Sequence, residues 1–177
     1  MSADRPADPR RGRDAPRPRQ EWLTEREQRA WRAYLAGSRL LNDALDHDLQ
    51  RHGLQLSEYE ILALLSEADG RHLRMSKLAD QVVQSRSRLT HTATRLERRA
   101  LVQRRPAPGD GRGVDLWLTD EGSALLDRVA PTHVASVRRH LVDHLGAEGF
   151  AQLGAAMARI RDGILGEGDP ASPRTAR

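Results

Sequence analysis

Apolar residues recur through most of this chain at steps of three and four, the spacing that gathers them on one face of an α-helix. The first such stripe runs from Trp31 to Leu49, after Thr24 and Glu27, which have the spacing of a capping box. The same pattern predicts two short helices, opened by Ser57 and Ser76. The chain therefore begins with three predicted helices, of which the second and third are short.

A fourth helix is predicted after Ser85, because serine is favoured at the N-cap, where its hydroxyl can accept a hydrogen bond from a free amide of the first turn. The apolar row expected on its inner face consists of Leu89, Ala93, Leu96 and Ala100. Leu101 to Arg105 and Val114 to Thr119 then have strand character on either side of a Pro- and Gly-rich turn, which predicts a β-hairpin. Thr119 opens a fifth helix, and a sixth with apolar residues at heptad-like spacing follows Gly146.

This order of elements predicts a mainly α fold with a small β-hairpin wing, arranged as a winged helix-turn-helix. In this interpretation residues 54–118 form the DNA-binding lobe, and residues 21–53 and 119–165 form a helical dimerisation region. Long helices with an unburied apolar stripe need a partner, so we expect a two-fold homodimer. Residues 1–20 and 166–177 carry few bulky apolar side chains, and we predict that both are disordered.

Positive charge is concentrated in one part of the chain. The formal net charge is +4, but residues 84–112 contain eight arginines against only Glu97 and Asp110. A local basic patch is the expected footprint of a polyanion partner. Cysteine is absent, which excludes disulfides, thiolate metal sites and cysteine-based redox sensing. No apolar run is long enough to span a bilayer, so we expect a soluble cytoplasmic protein without a membrane partner.

The start of the fourth helix combines the side chains that a helix uses in the DNA major groove. Residues 85–91 supply short hydroxyls, two arginines and a histidine in the first two turns. Arginine pairs bidentately with guanine, whereas serine and threonine mostly hold phosphates. Arg112, in the Gly-rich hairpin turn, has the reach to enter a minor groove. A solvated basic face is the competing interpretation for the helix alone, and the adjacent hairpin favours DNA binding.

The sequence from Leu78 to Gly122 resembles the winged-helix core of the MarR family of transcription regulators. The shared elements are LAD, SRS, RLE, the wing GDGRG and the helix-opening LTDEG, and the similarity extends over residues 24–165. The resemblance implies that Asp110 positions Arg112 in the minor groove. It also implies contacts to double-stranded DNA from Ser85, Arg86, Ser87, Arg88, Thr90, His91 and Arg95.

Three residues depart from the family pattern. Arg88 and His91 stand where threonine and arginine are common in the family, so the base preference does not carry over. Trp117 is an unusually bulky residue for the return strand of the wing. The operator sequence, the identity of the effector, the direction of regulation and the role of the N-terminal arm stay open.

The resemblance further implies a regulator that is not an enzyme. Such a protein is a repressor that binds a pseudo-palindromic operator as a homodimer and is released by a small effector, often aromatic or anionic. Trp31, Tyr34 and His52 are candidates for lining the effector pocket, with core packing as the competing interpretation. The alternative function is an Arg-rich nucleoid-associated or RNA-binding protein without operator specificity.

A histidine pair near the end of the fifth helix is the remaining candidate site. His140 and His144 are four residues apart on one helix face, a spacing that suits zinc, and His47 offers a further ligand. The competing interpretation is that both histidines flank the apolar stripe and pair with carboxylates. We predict neither a metal nor another cofactor, and no catalytic arrangement of side chains emerges.

Overall fold

The computed structural model describes residues 22–82, 85–107 and 113–167. Its helices are α1 (Glu25–Gln50), α2 (Leu56–Glu67), α3 (Met75–Gln81), α4 (Arg86–Arg98), α5 (Asp120–Val137) and α6 (Asp143–Glu167). Its strands are β1 (His72–Arg74), β2 (Val102–Pro106) and β3 (Val114–Leu118). The predicted fold class is confirmed. The predicted disorder of the arm and of most of the tail lies outside the described residues, whereas positions 166 and 167 belong to α6.

By its internal contacts the chain divides into two units between Ala36 and Gly37. In the first unit, the Thr24 hydroxyl accepts a hydrogen bond from the Glu27 amide at 3.3 Å. The Glu27 carboxylate in turn accepts one from the Thr24 amide at 2.7 Å and one from the Thr24 hydroxyl at 2.8 Å, and these two bonds lower the pKa of that carboxyl. The predicted capping box at the start of α1 is therefore confirmed.

The second unit has one aliphatic core, shared by the end of α1, the helices α2 to α5 and the sheet. Its largest fully buried side chains are Leu49, Leu54, Ile61, Leu62, Leu65, Leu78, Leu89, Leu96, Val102, Leu116 and Val129. The apolar rows predicted for α2 and for most of α4 supply much of this core. Burial of the latter row fixes the orientation of α4, because that helix has only one apolar face to hide.

Two predicted helix caps are wrong. The capping box of α2 is formed by Gln55 and Glu58, not by Ser57, and the Glu58 carboxylate accepts the Gln55 amide at 3.0 Å. Glu58 also binds Arg95 of α4 and Arg99 just after that helix, contacts between distant parts of the sequence. α3 begins at Met75, without a side-chain cap, because the chain enters it directly from β1 and leaves Ser76 inside the helix.

The predicted hairpin is confirmed, and a third strand that the sequence pattern did not indicate joins it. β3 lies in the centre of the sheet, antiparallel to β1 on one side and to β2 on the other. Trp117 of β3 is paired with His72 of β1 and with Gln103 of β2. β1 has three residues, which is too short to show the alternation by which strands are recognised in a sequence.

The prediction that Ala100 belongs to the buried row of α4 is wrong. Ala100 follows the end of the helix, is exposed, and has a left-handed backbone with φ 57°. The Leu101 amide donates to the Leu96 carbonyl at 3.0 Å, and the Ala100 amide donates to the Glu97 carbonyl at 2.9 Å. These two bonds form a Schellman-type end, which turns the chain so that Leu101 enters the core instead.

The C-terminal helical region is interrupted twice. Thr119 caps α5 as predicted, its hydroxyl accepting the Gly122 amide at 3.0 Å. A π-helical segment over Arg138–Val142 separates α5 from α6, and Gly146 interrupts α6 with φ 69°. The sequence predicted the second interruption, because glycine takes this conformation without strain, but not the first. None of the helices described here is both long and apolar enough to cross a membrane.

Candidate nucleic-acid interface

The packing of α4 presents its first two turns to the outside of the protein. On its inner face Leu89, Ala93 and Leu96 are at most 1% exposed. Ser85 precedes the helix with an extended backbone, and its hydroxyl accepts the Arg88 amide at 3.3 Å. The predicted N-cap is therefore confirmed. The cap fixes where the helix begins, and with it the direction in which the first turn points.

The outer face of α4 carries most of the predicted DNA-contacting residues. Those exposed in the first two turns are Arg86, Ser87, Arg88, Thr90 and His91. Within the described ranges no ion pair engages Arg86, Arg88 or His91. The Thr90 hydroxyl donates to the Arg86 carbonyl at 2.8 Å and keeps its lone pairs as acceptors. Two unpaired guanidinium groups beside a helix N-terminus suit an anionic, hydrogen-bonding partner.

Arg95 differs from the other predicted contacts, because its guanidinium is bound by side chains of α2 and the residue before it, although 46% of the Arg95 side chain is exposed. Its Nε donates to the buried Glu58 carboxylate at 3.1 Å, and a terminal nitrogen donates to the Gln55 side chain at 2.6 Å. Arg99 binds the second oxygen of Glu58 at 3.4 Å. Arg95 therefore holds α4 on the start of α2, and its predicted contact with DNA stays a prediction.

Sequence reasoning missed Arg104, which connects the wing to α4. From β2 its guanidinium binds the Glu97 carboxylate at 2.6 Å, the Thr90 carbonyl at 2.9 Å and the Thr94 hydroxyl at 3.0 Å. Its amide also donates to Glu97, at 2.9 Å. The only signal in the sequence was Glu97, seven residues upstream. This signal is weak, because the contact between Arg104 and Glu97 depends on how the chain turns after α4. This clamp fixes the direction in which the hairpin leaves α4.

The base of the wing is stiffened by a stack of three side chains. The Trp117 and His72 rings are parallel within 4° and 4.0 Å apart, and the Arg105 guanidinium lies 4.6 Å from the Trp117 ring. This stack gives the unusual tryptophan a structural role. Asp110 and Arg112 lie outside the described residues, and their predicted roles stay predictions.

His52 and His140 lie near a buried carboxylate. Asp48 accepts hydrogen bonds from the Ser136 hydroxyl at 2.6 Å and from Arg139, and its carboxylate is 3.8 Å from His140. The Ser136 bond and the positive charge of Arg139 lower the pKa of Asp48, against the effect of its burial. His52 lines an adjoining cavity of about 390 Å³. His140 thus faces a carboxylate, as in the non-metal interpretation, and the described residues contain no metal-binding cluster.

Trp31 and Tyr34, the other candidates for an effector pocket, stack on each other with ring centroids 5.6 Å apart. Both belong to the first unit, and about half of each side chain is exposed, 51% and 47% respectively. They are therefore surface residues rather than core residues in this chain. Their predicted contact with an effector stays a prediction, as does that of His52.

A larger cavity that the sequence did not indicate lies in the second unit. Its volume is about 490 Å³, and it is lined by Asn42, Leu45, Leu56, Tyr59, Glu60, Ala63, Leu64, Glu67, Gln81, Val82 and His133. The Tyr59 and His133 rings contact each other with centroids 4.2 Å apart. Residues from α1, α2, α5 and the end of α3 converge here, so no single stretch of sequence carries its signature.

Comparison with known proteins gives a consistent result. The profile of the MarR family matches residues 52–113. The HTH-type transcriptional regulator PecS of Dickeya dadantii (strain 3937) is 32% identical over 129 residues, covering 72% of this chain and 77% of PecS. The crystal structure of AbsC, a MarR family transcriptional regulator from Streptomyces coelicolor, is 46% identical with a TM-score of 0.78, covering 82% of this chain and 99% of AbsC. Sco3205, a MarR family transcriptional regulator from Streptomyces coelicolor whose crystal structure is a complex with DNA, is 40% identical with a TM-score of 0.79. The match covers 86% of this chain and 97% of Sco3205.

Proposed function

The chain belongs to the MarR family of transcription regulators, and we propose that it binds a specific site on double-stranded DNA through α4 and the wing. The observation that carries this proposal is the exposed start of α4, where Arg86 and Arg88 have no ion pair within the described residues. A helix of this kind fits the major groove, where guanidinium groups read guanine. The similarity to Sco3205, whose structure contains DNA, supports the same interface.

We expect selection from a pool of random DNA duplexes to yield a pseudo-palindrome whose half-sites are about 10 bp apart, one helical turn. The physical reason is that two-fold symmetric proteins present two copies of α4 to one face of the duplex. Footprinting on the selected sequence should protect both half-sites. Enrichment of no sequence, with binding that falls steeply with salt on every duplex, would instead support an Arg-rich nucleoid-associated protein.

We also propose that the protein acts as a homodimer. Large apolar side chains stay exposed on α6, among them Phe150, Met157, Ile160, Ile164 and Leu165. α1 likewise leaves Trp31, Tyr34 and Leu40 exposed. Apolar stripes on long helices are buried most readily against a second copy of the same helices.

Sedimentation equilibrium at micromolar concentration should therefore give the mass of two chains. Ile160→Arg places a charge in the proposed interface, and we expect it to shift the equilibrium towards the monomer. Arg159→Ala changes the neighbouring exposed residue without adding a charge to the apolar stripe and serves as the control. A folded monomer of the unmodified chain at that concentration would contradict the proposal.

A dimer bound at an operator that overlaps a promoter excludes RNA polymerase by steric conflict, and we propose repression as the mode of regulation. Because chromosomal DNA is its target, we place the protein in the cytoplasm. We propose the 490 Å³ cavity as the effector site. It lies between α1, α2, the end of α3 and α5, so a ligand there contacts both the helix-turn-helix and the long helices α1 and α5. Release from DNA would follow if the ligand binds best to a conformation that DNA does not tolerate.

A further inference from the structure

The 490 Å³ cavity is acidic, although the protein as a whole is basic. Its described lining contains Glu60 and Glu67 and neither arginine nor lysine. The two glutamates are seven residues apart on α2, two helical turns, so both face the same side. Between them α2 contributes an apolar wall, Ala63 and Leu64, which Leu45 of α1 extends. The cavity thus offers an apolar surface bordered by two negative charges.

Neither carboxylate is neutralised by a neighbour. Among the described residues no cation forms an ion pair with Glu60 or Glu67. Lys77 lines a second, adjoining cavity, of which Glu67 is also a lining residue. Lys77 likewise forms no ion pair among the described residues. Glu60 is exposed as a residue, yet the protein atoms around its carboxyl exclude enough water to raise its pKa. A cation bound at this carboxylate would therefore replace missing hydration with a favourable interaction.

Tyr59 and His133 form the aromatic side of the cavity, and the negative charge of Glu67 acts there as well. Burial raises the pKa of the Tyr59 hydroxyl, and the nearby charge of Glu67 raises it further. Burial lowers the pKa of His133, which favours the neutral imidazole, a form that does not offset the two carboxylates. Its Nδ1 atom is buried without a hydrogen-bond partner among the described residues.

We propose that this cavity selects a ligand with an apolar ring and a positively charged nitrogen, which Glu60 binds with support from Glu67. The inference rests on the proposed role of the cavity as the effector site and adds the charge of the ligand. An anion would approach two carboxylates that form no ion pair among the described residues. Around Glu60 protein atoms have displaced part of the water, and repulsion there is stronger than in bulk solvent. The ring of a cationic ligand would occupy the apolar wall and the faces of Tyr59 and His133.

The test compares two probes with the same ring and opposite charge, 2-naphthylmethylammonium and 2-naphthoate. Calorimetric titration of the full-length protein at pH 7.5 should show one amine per chain, with the naphthoate at least about tenfold weaker. Glu60→Gln keeps the size of the side chain and should weaken the amine about tenfold. Glu121→Gln removes an exposed carboxylate on α5 outside the cavity lining, and it should leave the affinity for both probes unchanged.

A preference for naphthoate, or binding of neither probe, would overturn the proposal. Amine affinity that is equal in Glu60→Gln and in the unmodified protein would overturn it as well, because the cation would then bind elsewhere. A separate experiment tests the role of the cavity in regulation: the titrations are repeated in the presence of the selected operator, which shows whether the amine and the operator affect each other's affinity. Amine binding that depends on Glu60 but leaves operator affinity unchanged would support the ligand class and refute the effector function.

Discussion

Arg86→Ala or Arg88→Ala should each weaken binding to the selected operator by about 1–3 kcal/mol per half-site, which amounts to about thirtyfold or more for the two half-sites of a dimer. Both side chains project from the exposed first turn of α4 and have no ion pair among the described residues, so folding does not use them. The loss should fall mainly on the operator rather than on unrelated DNA. Fluorescence anisotropy with both duplexes at fixed salt measures the ratio of the two affinities.

Three controls separate base recognition from general attraction. Arg128→Ala removes one exposed arginine from α5 and should leave the ratio of operator to unrelated affinity unchanged. Arg112 lies between β2 and β3 in the sequence. Arg112→Ala should weaken binding to both duplexes by the same factor and reduce the slope of log affinity against log salt by about one unit. Arg95→Ala should lower the thermal stability, because it leaves the buried Glu58 carboxylate with one fewer cation. If neither α4 substitution changes the ratio, α4 does not read the bases.

Gly122→Ala should lower the free energy of unfolding by about 3 kcal/mol or more, the upper range for overpacking a core. A Cβ atom at Gly122 would lie 2.1 Å from the Leu101 carbonyl oxygen and 2.8 Å from Cδ1 of Leu118. The first of these atoms belongs to the backbone, so it cannot move aside as a side chain would. The first turn of α5 would have to lift off the loop that joins α4 to β2.

Urea denaturation at one fixed protein concentration measures this loss, since the stability of a dimer depends on concentration. Gly37→Ala is the matched control, because a Cβ atom there meets nothing within 4 Å. Alanine is the better helix former, so this variant should be as stable as the unmodified protein or more stable by up to about 1 kcal/mol. Equal midpoints for Gly122→Ala and the unmodified protein would show that α5 does not dock closely on Leu101.

The elements that the sequence predicted correctly depend on neighbours close in the chain. Thr24, Ser85 and Thr119 cap their helices through bonds to an amide three residues ahead. The inner faces of α2 and α4 follow from apolar residues at helical spacing, and the hairpin follows from two strand-like runs around a turn. The exposed basic start of α4 is predictable for the same reason, because the buried row determines which residues face outwards.

The features that the sequence did not indicate depend on residues that only the fold brings together. Arg95 and Glu58 are 37 positions apart, and Arg95 binds both residues of the α2 capping box, Glu58 and Gln55. The sequence also did not indicate β1 or the clamp of Arg104. β1 is defined by its register with β3, and the clamp forms because the left-handed turn at Ala100 directs β2 back along α4.

The cavity and its charge are the clearest case. Their lining comes from four separate segments between Asn42 and His133, none of which is unusual in composition. The sequence by itself therefore determined the helices, the hairpin and the exposed basic face of α4, because helical and strand periodicity and local caps are short-range properties. Only the tertiary structure decided which arginines of α4 form ion pairs and where an acidic cavity forms, because burial and charge pairing depend on contacts across the whole fold.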